Sequence, residues 1–365
     1  MNPNKTGDPT VVAFYLPQFH PIPENDAWWG KGFTEWTNVG RAKALFPGHD
    51  QPKVPKDLGY YDLRLPAARI AQAEMAKAYG VDGFCYWHYW FGEGRRLLET
   101  PFTEVVRSGE PDFPFCLGWA NHSWKKKTWS NDATKDAVLM EQRYPGLQDH
   151  EAHFHAVVEA FQDPRYIRVD GRPVFLVWEP MSVPDNAAFM DCWNRLARQH
   201  GLPGIHFIGF TYEKRLIDAI LAAGYEAVVY DALNEVRWNL GLPRRAYNKL
   251  MKLLWSIPTR VPYATYVAAS MAVYRAGRTI PCVLPNFDHT PRSGERGLVL
   301  ESDPAQFGAF LDQVLALGRQ GQLKSPLLFI KSWNEWGEGN YLEPDLKHGT
   351  AFLEQLRARL RRADT

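Results

Sequence analysis

Cysteine is scarce: the 365 residues include four, Cys85, Cys116, Cys192 and Cys282, and no CxxC. That excludes a disulfide framework or a zinc ribbon. Cys85, Cys116 and Cys282 sit in apolar runs and read as core thiols. An excess of either charge is also missing, since 42 Lys and Arg stand against 41 Asp and Glu. Such a chain has no general electrostatic attraction for nucleic acid. No apolar run reaches the ~18 residues of a membrane span. The polar opening MNPNKTGDPT lacks the basic-then-apolar pattern of a signal segment, so a cytoplasmic location is expected. No glycine-rich dinucleotide or phosphate loop follows any strand-like run. There is also no HExxH, and no HxH after the first strand. The expectation is therefore a protein without cofactor or metal. Repeats, low-complexity tracts and Pro/Ser-rich linkers are absent too, which points to one domain over 11–363 behind a disordered or extended 1–10.

What the sequence has in quantity is aromatic side chains: 14 Trp, 16 Tyr and 20 Phe, 14% of the chain. Many lie beside carboxylates, amides and histidines. Flat aromatic faces flanked by polar groups suit sugars, which offer C–H faces and hydroxyl edges. At 45% hydrophobic and 23% charged, the remainder is an ordinary globular balance, not a disordered one.

Eight strand-like runs recur along the chain, at 11–20, 81–90, 113–124, 173–180, 205–210, 226–232, 280–287 and 326–336. Helical patterns fall between them at 64–79, 147–162, 185–200, 213–223, 263–277, 304–319 and 349–362. Gly80 stops the first, and Ser302-Asp303-Pro304 starts the sixth. Eight near-continuous apolar strands alternating with helices predict an α/β fold, a single (β/α)8 TIM barrel. Long connections at 21–60, 125–146 and 233–262 would form its active-site face.

Side chains just past strand ends converge on the barrel mouth. The sharpest stretch follows the eighth strand: Trp333-Asn334-Glu335-Trp336-Gly337-Glu338-Gly339-Asn340-Tyr341-Leu342-Glu343-Pro344. Three carboxylates here sit among tryptophans. Glycosidic cleavage commonly needs two carboxyl groups whose pKa values are held apart, and unequal desolvation by Trp walls supplies that. A solvated acidic rim is the plainer alternative.

This stretch resembles the strand-8 signature of endo-acting α-mannosidases of glycoside hydrolase family ninety-nine. The chain as a whole is similar to their bacterial relatives, the WbsX-type proteins of polysaccharide biosynthesis loci, through AFYLPQFHPIPENDAWWGKGFTEWTNV (13–39), YGVDGFCYWHYWF (79–91), FCLGWANHSW (115–124) and SWNEWGEGNYLEP (332–344). The resemblance implies a (β/α)8 barrel and metal-independent retaining hydrolysis. It implies Glu335 as the base at a sugar 2-hydroxyl, which closes to a 1,2-anhydro sugar, and Glu338 as acid/base. The expected substrate is then a bacterial polysaccharide such as O-antigen or capsule, with α-mannoside or α-rhamnoside type linkages. Two alternatives stand: a glycosyltransferase, for which no DxD follows a strand, and a non-catalytic glycan-binding barrel.

Further substrate-binding candidates are Tyr15, Gln18, His20 and Trp36 around the first strand and its loop. Tyr86, His88 and Trp90 share one face of the second strand, with Trp87 and Tyr89 on the other. Trp119, Asn121 and His122 end the third strand, Glu179 the fourth, Asn286 and Asp288 the seventh. Trp333, Asn334, Trp336 and Glu343 accompany the two glutamates. For the aromatics, a core cluster is the alternative to a sugar platform; for Asn121 and His122, it is loop scaffolding. Lys331 either tunes a carboxylate or pairs inside the barrel. His150, His153 and His155 read as a polar, solvent-facing helix and not a metal site. Residues 237–260 carry six Lys and Arg and no acid beside an apolar stripe. They form either a helix packed on the barrel or a peripheral contact with a membrane or an anionic glycan.

Overall fold

The computed structural model describes residues 8–125, 137–236 and 239–360. Eight parallel strands close on themselves: β1 (Thr10–Tyr15), β2 (Gly83–Trp90), β3 (Phe115–Trp119), β4 (Arg172–Val177), β5 (His206–Thr211), β6 (Ala227–Tyr230), β7 (Ile280–Val283) and β8 (Leu327–Ile330). β1 closes the ring by pairing with both neighbours, Val12 opposite Gly83 on β2 and Val11 opposite Leu328 on β8. All eight predicted strands are present, and the fold is a (β/α)8 barrel. Their composition explains it. Val11, Val12, Ala13, Phe14, Val174, Phe175, Leu176 and Val177 are all completely buried, as strands covered on both faces must be.

Helices surround the ring: α1 (Pro66–Ala78), α2 (Thr100–Ser108), α3 (Leu147–Gln162), α4 (Asn186–Gln199), α5 (Ile217–Ala222), α6 (Leu242–Trp255), α7 (Tyr263–Tyr274), α8 (Pro304–Arg319) and α9 (Ala351–Arg359). The predicted stop after α1 is seen in Gly80, at φ +88. The predicted start of α8 is also present, with the Asp303 carboxylate accepting from the Gln306 amide and Pro304 in the first turn. α2 has no counterpart among the predicted helices. Asp8 is already buried against Arg319 at 2.8 Å, ahead of the expected domain start at 11. All four cysteines are buried and free.

Two features shape the mouth. Inside the barrel, Phe14 stacks on Trp87 at 4.6 Å and Trp178 on Phe210 at 4.1 Å, with the two Trp rings edge to face at 4.8 Å. Gly118 on β3 leaves the room for this, because a Cβ there would lie 3.1 Å from the Trp87 ring. Beyond β8, the chain makes a short antiparallel pair, Asn334–Glu335 with Asn340–Tyr341, around the turn Trp336–Glu338. The Asn334 side chain fixes this hairpin to the end of β1 by bonding both the amide and the carbonyl of Leu16, at 2.7 and 3.0 Å.

Candidate active site

The aromatic floor and the strand-8 hairpin bound a cavity of about 440 Å³. Trp87, Tyr89, Trp178 and Tyr212 line its base, Trp29 and Trp124 its rim, and Glu335, Glu338, Lys331, Arg292 and His289 its polar wall. Gln18 and His122 also reach it.

Arg292, on the helical turn Thr290–Ser293 after β7, organises the wall. Its Nη1 donates to Glu338 Oε1 and lies 3.5 Å from Glu335 Oε1, while its Nε donates to Glu35 Oε1 at 2.9 Å. Glu35 is completely buried, and its second oxygen has no hydrogen-bond partner among the described residues. Glu35 lies directly under the hairpin turn, so that a Cβ on Gly337 would fall 1.5 Å from its Oε1. The glycine between the two site glutamates is therefore the only residue type that fits.

The surroundings split the two carboxyls. Burial pushes Glu335 up to about 7, and the Glu338 charge adds to this, against the opposing pull of Arg292 and Lys331. Burial would raise Glu338 as well, but Arg292, then Lys331 and His289, hold it below the ordinary carboxylate range. At neutral pH the pair thus approaches one shared proton, resting on Glu335. Ser332 Oγ donates to Glu335 Oε2 at 3.1 Å. Lys331 stays cationic despite burial, held by Tyr212 at 2.5 Å and by Asp231 at 3.5 Å. It is both an interior ion-pair partner and a source of field at the glutamates.

Of the expected site residues, the structure brings Glu335, Glu338, Gln18 and His122 to one cavity. His122 is lowered by burial, facing Glu179 and Glu338. Glu179 is exposed and bonded to Ser182, with its backbone fixed by Asn121. Most others hold the scaffold. Tyr15 donates to Gln72 of α1 at 2.6 Å on the outside of the barrel, where Tyr86 packs against it. His88 meets His153 at 2.8 Å between Nε2 atoms, and burial pushes it down to about 3. Trp90 stacks on the same His153 and donates to Asp149, and Trp119 donates to the Trp90 carbonyl. Thus Trp87 and Tyr89 face the cavity, and the Tyr86–His88–Trp90 face lies under the helices. His20 bonds the Pro17 carbonyl. Trp36 donates to the Tyr61 carbonyl and packs on Trp336. Trp333 is completely buried against Phe84. Trp336 stacks on Tyr341 and donates to Glu343.

Glu343 is an interior acceptor, not a cavity wall: Tyr61, Gln72 and Trp336 all donate to it at 2.6–2.8 Å, and burial pushes it up to about 7. Asn286 holds the Tyr341 amide, and Asp288 gathers His49, Gln51 and Thr290, both beside a different crevice. The helix of His150 and His153 is not solvent-facing on that side. Both are buried, Trp193 donates to the His150 carbonyl, and only His155 is exposed. Among the described residues, no group of three or more His, Cys, Asp or Glu could hold a metal.

A family model described as "Glycosyltransferase WbsX" matches residues 11–356. The chain belongs to the WbsX family. It is 36% identical over 359 residues to the uncharacterized protein WxcX of Xanthomonas campestris pv. campestris, in two strains. This WbsX-family chain is covered to 97% in that match but spans about half the length of those relatives. Among solved structures, a glycoside hydrolase-like protein superposes over 100% of this chain and 96% of its own at TM-score 0.63 and 15% identity. A GH99 endo-alpha-mannosidase from Bacteroides thetaiotaomicron does so over 96% of each chain at TM-score 0.54 and 16% identity. At such identities these neighbours share the fold, here a glycoside hydrolase-like one.

Proposed function

We propose that the WbsX-family chain is a retaining, endo-acting glycoside hydrolase of bacterial polysaccharide. Its substrate linkage would be of α-mannoside or α-rhamnoside type, with Glu335 and Glu338 as the catalytic pair. The observation that carries this is the split pair itself: two glutamates at an aromatic-floored cavity, one pushed up to about 7 and the other held low. Opposed carboxyl environments are how one site supplies both an acid and a base. Trp87 and Trp178 offer sugar faces a platform, and the family's resemblance to endo-α-mannosidases supplies the linkage class.

In this reading Glu335 takes the proton of the 2-hydroxyl as O2 attacks C1, and Glu338 protonates the departing oxygen. Water then opens the 1,2-anhydro sugar: Glu338 takes a water proton, hydroxide bonds to C1, and Glu335 returns its proton to O2. Two inversions retain configuration. The resting proton, however, sits on Glu335, and Arg292 bonds the Glu338 carboxylate. The first step therefore requires substrate to draw Arg292 away from Glu338 and shift the proton across the pair. The resting charges favour a second assignment, with Glu335 as acid and Glu338 as base.

Glu335→Gln and Glu338→Gln, each assayed with aryl α-mannosides or α-rhamnosides of good and poor leaving groups, separate the two. Losing the acid spares the good leaving group, and losing the base, worth ~10²–10⁴-fold, spares neither. The first assignment expects sparing in Glu338→Gln. Full activity in both variants would remove the glutamates from the mechanism. The family description favours a glycosyltransferase instead, and saturable binding of a nucleotide sugar, seen by calorimetry without any cleavage, would support that reading.

A further inference from the structure

The sequence left α6 either packed on the barrel or turned outward, and the structure turns it outward. Asn248 is the only buried residue of the helix; its side chain bonds the Arg260 carbonyl at 3.0 Å. Arg244 and Met251, one turn to either side, are half-buried, so a single narrow seam faces the protein. The rest of the apolar surface is open. Leu242 is 79% exposed and Leu253 78%, with Leu254 and Leu250 near half, and Trp255 stands exposed at the C-terminal end. Lys249, Lys252 and Arg245 lie between this arc and the seam, and no Asp or Glu occurs anywhere in 242–255.

A monomer rarely leaves so many large aliphatic side chains together in water. The arrangement has one apolar arc, one cationic flank, no carboxylate and a terminal Trp. It matches an interfacial helix, whose leucines enter the headgroup–acyl boundary while its lysines meet anionic lipid. A protein partner would not require an entirely acid-free helix. The chain has no helix among the described residues long and apolar enough to cross a membrane, so this contact would be peripheral.

We propose that α6 docks the protein onto anionic phospholipid bilayers. Its position makes the contact relevant to the site. Arg244 and Arg260 both pair with Glu301, on a strand that pairs in turn with Phe287–Asp288 just beyond β7. α6 therefore belongs to the insertions at the C-terminal ends of β6 and β7, the end that carries Glu335 and Glu338. A docked molecule would hold its cavity at the membrane surface.

The test is co-sedimentation of the full chain with vesicles of pure phosphatidylcholine and of phosphatidylcholine with about a third phosphatidylglycerol. The expected result is binding to the anionic vesicles only, weakened by high salt. Lys249→Gln/Lys252→Gln should lower the partition coefficient about 30-fold, at ~1 kcal/mol per cation. Leu253→Asn/Leu254→Asn should lower it about a hundredfold or more, since each Leu contributes ~1.5 kcal/mol or more when buried. Both pairs are exposed, so circular dichroism and melting should not change. Equal binding to neutral vesicles, no binding to either, or an unaltered partition in both variants would overturn the proposal. So would a concentration-dependent dimer, seen by sedimentation velocity, that the leucine substitutions dissolve. None of these readouts depends on catalysis, so the proposal stands or falls apart from the hydrolase reading.

Discussion

Replacing Arg292 by Gln should move the protonation of the glutamate pair upward. The guanidinium hydrogen-bonds Glu338 and sits 3.5 Å from Glu335. Unit charges at that distance interact by about 5 kcal/mol at an effective dielectric of about 20. Measured carboxylates beside an arginine are typically lowered by about 1–3 units, or roughly 1.4–4 kcal/mol. Arg292 lowers both carboxyls, so its loss should raise both. The larger move belongs to the step dominated by Glu338, which Arg292 hydrogen-bonds, and the step near 7 should shift less. A rate that needs one proton on the pair would follow a bell, and both limbs would move to higher pH. Titration of ¹³C-labelled glutamate carboxyls by NMR, with Glu335→Gln and Glu338→Gln for assignment, reads this without a substrate. Arg292→Gln also strands the buried Glu35 carboxylate, at a cost of about 3–5 kcal/mol. The double variant Glu35→Gln/Arg292→Gln should recover part of that stability while keeping the raised titration. Unchanged titration in a folded variant would refute the electrostatic reasoning.

Glu343→Ala should destabilise the fold by about 3 kcal/mol or more, because Tyr61, Gln72 and Trp336 each lose their acceptor, yet leave KM unchanged. Urea midpoints and steady-state kinetics check this, and a raised KM at unaltered stability would return Glu343 to the binding surface. The share of stability that Glu335 and Glu343 supply should fall as pH rises, while buried histidines pushed down, His88 and His153 foremost, work the other way. Glu335 and Glu343 titrate near 7 when folded but at ordinary carboxylate values when unfolded, so their stabilisation is complete below about pH 4.5 and is lost as pH passes 7. Urea midpoints at pH 5 and pH 8 should therefore show wild type losing more stability, or gaining less, than Glu335→Gln between the two. Gly337→Ala should abolish turnover by driving Glu35 off Arg292, at a cost of ~1–3 kcal/mol or more in overpacking, and wild-type rates from that variant would contradict the packing described.

The barrel was legible in the chain because strands buried on both faces leave uninterrupted apolar runs such as Val11–Tyr15 and Leu327–Ile330. The same property hid the orientation of β2. With both faces buried, polarity does not alternate, and nothing in Tyr86–Trp90 says which face meets the cavity; the structure chose Trp87 and Tyr89. Glu335 and Glu338 stood out through their tryptophan setting, and Glu343 stood out for the same reason although it serves the interior. Arg292 left no comparable signal. It lies in a short polar turn after β7, close in sequence to Asn286 and Asp288, and its partners Glu35 and Glu338 come from the loops after β1 and β8. Only the closure of the ring brings them together. His153 looks polar in sequence, yet the buried face of α3 has a place for it.

We propose cleavage of a glycosidic bond by the Glu335–Glu338 pair with retention. Proton NMR of the anomeric region, following wild type and Glu338→Gln over purified bacterial polysaccharides and aryl α-mannosides and α-rhamnosides, tests it most directly. The expected first-formed product has the same anomeric configuration as the substrate, and it is absent or strongly slowed in the variant on poor leaving groups. An inverted first product, or equal cleavage by wild type and by both single glutamate variants, would contradict it.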